Sequence, residues 1–288
     1  MLISKLAIMK KIIVPTDFSL PSRGAYFYAL EIAPLWNACV KVIHVYHGSF
    51  STTQPLVITP NKGRQQVLES WLENFIEIRE EAGSLSVSPT IETEYEAVLG
   101  FAVDKLVRLS DEEETALLVM GATGKNHLEK KLIGSISLDV AQKAHCPVFL
   151  IPEGYNFKGV QHILFASDYS TIEESQLQVL VEMAQKFKAS VHFVHIEQAS
   201  DQVPFSELKE KIFQLLFKEK EPSFAFQMHA VQSASIQEGL NAYADENDID
   251  LVVMVTRKRK FWDRLFSASQ TKAVLIGSEL PVCVLHQE

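Results

Sequence analysis

The chain has 288 residues, 47% hydrophobic and 22% charged, with 27 Lys and Arg against 36 Asp and Glu for a net charge of -9. The apolar fraction excludes a disordered protein. The acidic balance, shared by both halves, argues against a nucleic-acid backbone as the main ligand, because that needs a positive footprint. The length suits two domains, each large enough to bury its own core.

Cys39, Cys146 and Cys283 lie far apart, with no C-x-x-C. This excludes a disulfide scaffold, argues against a zinc ribbon and fits a reducing cytoplasm. No apolar run approaches the roughly 18 residues of a membrane helix, so no membrane partner is expected. The first eleven residues are broken by Lys5 and lack a small-residue cleavage site, so no signal peptide is expected, and Met9 is an alternative start.

In chain order, Ile12, Ile13 and Val14 predict a short buried strand. A turn follows at 15–19, with Ser19 as a helix N-cap, and helical spacing runs over 25–34 through Ala25, Tyr28, Ala29 and Ile32. Residues 40–46 form a strand rich in β-branched residues, and 67–78 read as a helix. Residues 91–95 alternate like a half-exposed strand. A helix over 102–109, an apolar strand over 116–120, a helix over 136–144 and a strand over 147–151 complete the half. Apolar strands alternating with helices mean a parallel sheet covered on both faces.

The second half repeats this order. The segment 162–170 matches 11–19 at an offset of 151, which also carries His44 and Val45 onto His195 and Ile196. Later the offset is 134, with Leu117 to Met120 falling on Leu251 to Met254, and Pro147 and Val148 on Pro281 and Val282. Whole-domain duplication explains this, and the unit is far too long for a solenoid. The expected domains are 1–153 and 160–288, joined by a short linker at 153–159.

The chemically informative segment follows Met120. Gly121 and Gly124 are followed, nine residues beyond Gly124, by Gly134 and Ser135. Glycines at the carboxyl end of a parallel strand let the backbone turn and approach a ligand, and a helix opening at Gly134 and Ser135 offers free N–H groups to phosphate. A Walker loop is excluded, because Val119 stands where its first glycine belongs and Asn126 where its Ser or Thr belongs. The dinucleotide G-x-G-x-x-G spacing is absent as well. Asp17 ends the first strand on the same sheet edge; it either accepts hydrogen bonds from a ribose or base, or caps the helix that follows.

With Pro15, Thr16 and Asp17 after the first strand, His44 and Val45 ending the second, the Gly121–Gly124–Gly134–Ser135 spacing, and Pro147 and Val148 closing the half, the chain resembles the universal stress protein family in tandem form. The resemblance spans essentially the whole chain. It implies two doubly wound α/β domains with five-stranded parallel sheets, adenine nucleotide alpha hydrolase-like, packed as a pseudo-dimer through 147–151 and 281–285. A homodimer of the whole chain is compatible with it. It also implies an adenine-nucleotide site, usually for ATP, alone or with Mg2+. Pro15 belongs to the signature; Asp17 and the Val45 backbone would hold the adenosine. Met120 and Gly121 would line the ribose, and Gly124, Gly134, Ser135, Ile136 and Ser137 would surround the phosphates.

The second half departs from the pattern. Asp168 is kept, but Val255, Lys258 and Ala268 replace the three glycines before Ser269, and Ala166 replaces Pro15. This half is expected to share the fold without the nucleotide.

His44 and His195 read as satisfied core histidines. Lys125 and His127 either touch phosphate or are solvated, and His145 and Cys146 read as packing. The basic and aromatic run from Arg257 to Phe266 is either a docking surface for an acidic partner or a nucleic acid, or a turn feeding an amphipathic helix whose Phe261, Leu265 and Phe266 pack inward. No metal motif and no nucleophile–base arrangement stands out, and nothing demands an enzyme. The expected function is ATP binding in stress response or signalling in the cytoplasm; slow ATP hydrolysis or phosphotransfer, and a ligand-free scaffold, are the alternatives.

Overall fold

The computed structural model describes residues 9–47, 62–77, 91–123, 134–166, 172–197, 204–218, 222–256 and 280–286. Gly124, Lys125, His127, Asp168 and the stretch 257–279, which holds Lys258, Ala268, Ser269 and the basic run, lie outside the described residues.

The first half runs β1 (Lys10–Pro15), α1 (Leu20–Trp36), β2 (Ala38–Tyr46), α2 (Lys62–Glu77), β3 (Thr93–Leu99), α3 (Ala102–Ser110), β4 (Thr115–Gly121), α4 (Ser135–Lys143) and β5 (Val148–Ile151). The second half runs β6 (His162–Ala166), α5 (Glu174–Phe187), β7 (Ser190–Glu197), α6 (Phe205–Leu216), β8 (Phe226–Gln232), α7 (Ile236–Glu246), β9 (Leu251–Thr256) and β10 (Val282–His286).

The strands form one ten-stranded sheet in the order β3-β2-β1-β4-β5-β10-β9-β6-β7-β8. Every pairing within a half is parallel, and the halves join through the antiparallel pair β5–β10. Successive strand side chains enter opposite faces, as the strand period of two requires. Ile12, Val14, Val40, Val42, Leu117 and Val119 pack with α1 and α2 residues such as Leu30 and Leu72, while Ile13, Ile43, Leu118 and Met120 pack with Leu106 and Val140 of α3 and α4.

Two elements extend differently from their local pattern. α1 begins five residues before Ala25, at Leu20, because Ser19 supplies the cap: it is extended, and its hydroxyl accepts from the Ser22 N–H. Pro21 in the first turn needs no N–H partner there. β3 runs Thr93–Leu99 rather than over 91–95, since it pairs residue for residue with β2 from Val40–Thr93 to Tyr46–Leu99. Its partner's length, not its own alternation, sets its extent. No helix among the described residues is long and apolar enough to cross a membrane.

Candidate functional site

In the order β3-β2-β1-β4-β5 the chain turns back between β1 and β4, and ligands of open α/β sheets bind outside the strand carboxyl ends at such a switch point. A cavity of about 210 Å³ lies there. It brings together Pro15, Asp17, Val45, Met120, Gly121, Gly134, Ser135, Ile136 and Ser137, every residue expected from the sequence except Gly124, which is outside the described residues.

The turn after β1 is locally strained. Phe18 has φ 63°, a left-handed conformation that costs a non-glycine residue on the order of 1–2 kcal/mol. Its N–H donates to Thr16 Oγ1 at 2.9 Å, and its ring lies 4.7 Å from that of His44 and edge-on to Trp71 and Phe75. This packing holds the turn and so aims Asp17. The two readings of Asp17 are thereby separated: Ser19 is the cap of α1, and Asp17 Oδ1 accepts from the Ser19 N–H at 3.1 Å and from the Ser19 hydroxyl. The carboxylate is thus oriented from below while its residue lines the cavity.

Opposite stands Gly121, which ends β4. A Cβ added to it would lie 2.7 Å from the carbonyl carbon of Pro21 and 2.9 Å from its oxygen, so only glycine lets the first turn of α1 close against β4. The Gly121 carbonyl accepts from Ser137 Oγ at 2.9 Å, and the Ala122 carbonyl accepts from the Gly134 N–H at 2.7 Å. These bonds bring the start of α4 against the end of β4. α4 has Gly134 as its N-cap, with no side-chain cap bond among the described residues; its first backbone bond runs from Leu138 N–H to Gly134 O. Among the described residues the N–H groups of Ser135, Ile136 and Ser137 have no helical acceptor, and they stand at the positive end of the helix dipole.

Sequence reasoning missed part of the wall. Ala102 and Leu106 of α3, with Ile43 of β2, give the cavity an apolar side, and Thr16, Ser22, His44 and Thr123 complete its lining. Neither α3 residue belongs to a motif; Leu106 carried only the signal of a helix's inward face. His44 is satisfied, its Nδ1 lying 2.8 Å from Thr16 O, but it borders the cavity rather than the deep core. His195 stacks on Phe205 with ring centroids 6.1 Å apart. Cys146 is buried, which pushes its thiol up to about 12, and the His145 N–H donates to Ser110 Oγ, in keeping with packing.

In the second half Val255 takes the position of Gly121 and is buried in the same core as Ile172, which takes that of Pro21. α5 opens at Glu174, whereas the position matching Leu20 is 171. The second half therefore carries a buried valine side chain where the first half has a glycine at the end of its fourth strand. Among the described residues no group of three or more His, Cys, Asp or Glu could hold a metal ion.

The family model described as the universal stress protein family matches residues 9–152 and again 159–286. The chain therefore belongs to the universal stress protein family, in a tandem arrangement of two such domains. Over 143 residues it is 32% identical to universal stress protein MJ0531 of Methanocaldococcus jannaschii, covering 49% of this chain and 81% of that one. Over 297 aligned positions it is 25% identical to universal stress protein Mb2028c of Mycobacterium bovis, covering 96% and 97%. A solved universal stress protein from Archaeoglobus fulgidus shares the fold with a TM-score of 0.68 at 18% identity, covering 96% of each chain. The Pseudomonas aeruginosa protein PA1789 does so at 0.60 and 16%, covering 96% of this chain and 92% of that one.

Proposed function

We propose that the first half binds an adenine nucleotide, ATP, in the cavity between β1 and β4, and that occupancy governs a stress-response or signalling role in the cytoplasm. The observation that carries this reading is the first turn of α4, which no described side chain caps and whose residues line the same cavity as Asp17 and Gly121. Free helix N–H groups suit phosphate oxygens. The Asp17 carboxylate suits ribose hydroxyls, and the apolar residues Ile43, Val45, Ala102 and Leu106 of the lining suit a purine ring. Mg2+ would enter with the phosphates rather than through a protein cage.

The second half keeps the fold, as a structural or partner-binding domain, without the nucleotide. Val255 supports this, because side-chain bulk replaces the glycine that lets backbone donors approach phosphate.

Denaturing the purified protein and identifying released nucleotide by mass spectrometry tests ligand identity, and equilibrium dialysis tests stoichiometry, expected to saturate at one ATP per chain. Gly134→Val, which puts a branched side chain at the α4 N-cap, should weaken binding about tenfold or more, roughly 1.4 kcal/mol. Unchanged calorimetric affinity in a folded Gly134→Val protein would remove the site, and two equivalent sites would overturn the assignment of the second half.

A further inference from the structure

We propose that His286, at the end of the second half's last strand, is a positioning residue for the phosphate side of the nucleotide cavity: it holds α4 from behind, across the junction between the halves. This rests on the nucleotide reading above. His286 Nε2 lies 2.9 Å from Ala141 O. A carbonyl only accepts, so Nε2 carries the proton and donates.

The bond falls where α4 lacks one. The last carbonyls of a helix have no partner within it. The Ala144 N–H closes the final turn on Val140 O, and the His145 N–H, which would continue the ladder to Ala141 O, donates instead to Ser110 Oγ at 2.9 Å. The Ala141 carbonyl is thus left for the other half to satisfy. At the front, the first half holds the same helix, through Ser137 Oγ on Gly121 O and the Gly134 N–H on Ala122 O. α4 is 9 residues long. Ala141 stands about 9 Å along its axis from Ser135, so a shift at one end moves the other.

His286 is itself fixed. Its carbonyl accepts from Gln176 Nε2 of α5 at 3.5 Å, and β10 pairs it with Thr256 of β9. The support runs one way. At the offset of 134 the first half has Pro152, whose side chain has no donor to return the contact. The half that keeps the glycine spacing is therefore the half whose helix is held from outside.

A ring that donates at Nε2 must take a second proton at Nδ1, and that atom is buried. Burial lowers the His286 pKa most, the Ala141 and Cys146 backbone oppose it, and His145 lowers it further. The titratable groups on the packed elements are Cys146, which is buried; Asp111, 3.9 Å from His145; and Asp139 and Lys143 of α4, paired at 3.9 Å. On the side of α5 stand Glu173, in the helix cap, and Glu174, paired with Lys218. Seating the ring thus opposes its protonation. Affinity that depends on His286 is complete above a pH of about 6.5 and falls below it.

The test is calorimetric titration of ATP and of adenosine into wild-type protein, His286→Gln, which keeps a donor but cannot titrate, and His286→Leu, with a thermal melt of each. At neutral pH, His286→Leu should bind ATP about fivefold more weakly, the order of one hydrogen bond, with adenosine unchanged. His286→Gln should bind both like wild type. Between about pH 7.5 and about pH 5.5, wild type should lose about threefold more ATP affinity than His286→Gln, since titration of the phosphates and of the other histidines is common to both and cancels. Wild-type ATP affinity in His286→Leu, an equal loss for adenosine, no rescue by glutamine, or superimposable pH profiles of wild type and His286→Gln would each overturn the assignment. Should His286→Leu melt as an unfolded chain, the glutamine comparison across pH decides alone. Wild-type protein that binds neither ligand would remove the nucleotide reading itself, a result distinct from ATP binding that ignores His286.

Discussion

Trp36 and Phe187 hold equivalent places in the two halves, each the last residue of its helix, and their rings meet at 5.3 Å with an interplanar angle of 68°. The strands repeat this relation. In the β5–β10 pair Phe149 faces Cys283, its own counterpart at the offset of 134, while Val282 faces Leu150 and Val284 faces Val148. Reciprocal pairing of this kind is what a two-fold axis produces, here between two halves of one chain. The halves are not identical at the axis: an aromatic ring opposes a small thiol, and Lys186 lies over the Trp36 ring at 5.4 Å while donating to Leu35 O.

Trp36→Ala should therefore loosen one half from the other. Trp36 also packs edge-on to Phe149, so the loss is expected to be on the order of 2–3 kcal/mol. Urea unfolding followed separately in each half should lose its single shared midpoint. Coincident transitions at the wild-type midpoint would show that the aromatic contact couples nothing.

Gly121→Ala should destabilise the first half by about 1–3 kcal/mol, because its Cβ meets backbone atoms of Pro21 that cannot swing aside as a side-chain tip can. Moving the first turn of α1 also moves the turn that carries Asp17, so nucleotide affinity should fall in the same variant. A chemical-denaturation midpoint equal to wild type would contradict the close approach.

Tyr28→Phe is expected to be neutral or stabilising by about 1 kcal/mol, although Tyr28 is 2% exposed. Among the described residues its buried hydroxyl has no hydrogen-bond partner, and burial, with Tyr155, Cys283 and Asp250 nearby, pushes its ionisation well above the usual tyrosine range. Deleting the oxygen removes an unpaid desolvation penalty and keeps the ring contacts with Phe149 and Phe157. A marked loss of melting temperature would mean that the hydroxyl has a role at the junction.

Acidification should weaken the second half through His192. This ring is buried, its Nδ1 is hydrogen-bonded with the Tyr243 hydroxyl at 2.9 Å, and its Nε2 has no partner among the described residues. Burial lowers its pKa first, and His162 and His229 on the neighbouring strands lower it further. A histidine with a depressed folded pKa binds fewer protons folded than unfolded, so its stabilising contribution is complete above the unfolded value of about 6.5 and is lost as pH falls from there toward the folded pKa. His286 acts in the same direction, its pKa lowered mainly by burial against the bond to Ala141 O. Denaturation midpoints should drop between neutral pH and pH 5, and His192→Asn should flatten that slope; an unchanged slope would exclude His192 as its source.

The amino-acid sequence by itself determined the strand and helix alternation, the duplication, and the glycine spacing between a buried strand and a helix start. These are local signals, set by side-chain period and turn chemistry within a few residues. Asp17, Gly121 and Gly134 were singled out from their places at strand ends or a helix start, and Pro15 and Met120 through the family resemblance; all five line the one cavity, because strand ends share one edge in a parallel sheet. Only the tertiary structure decided the rest. The extent of β3 depends on β2, the apolar wall of Ala102 and Leu106 depends on where α3 lands, and the need for glycine at 121 comes from Pro21, a hundred residues earlier. Each of these depends on which distant surfaces meet, and that is a property of packing rather than of any local pattern.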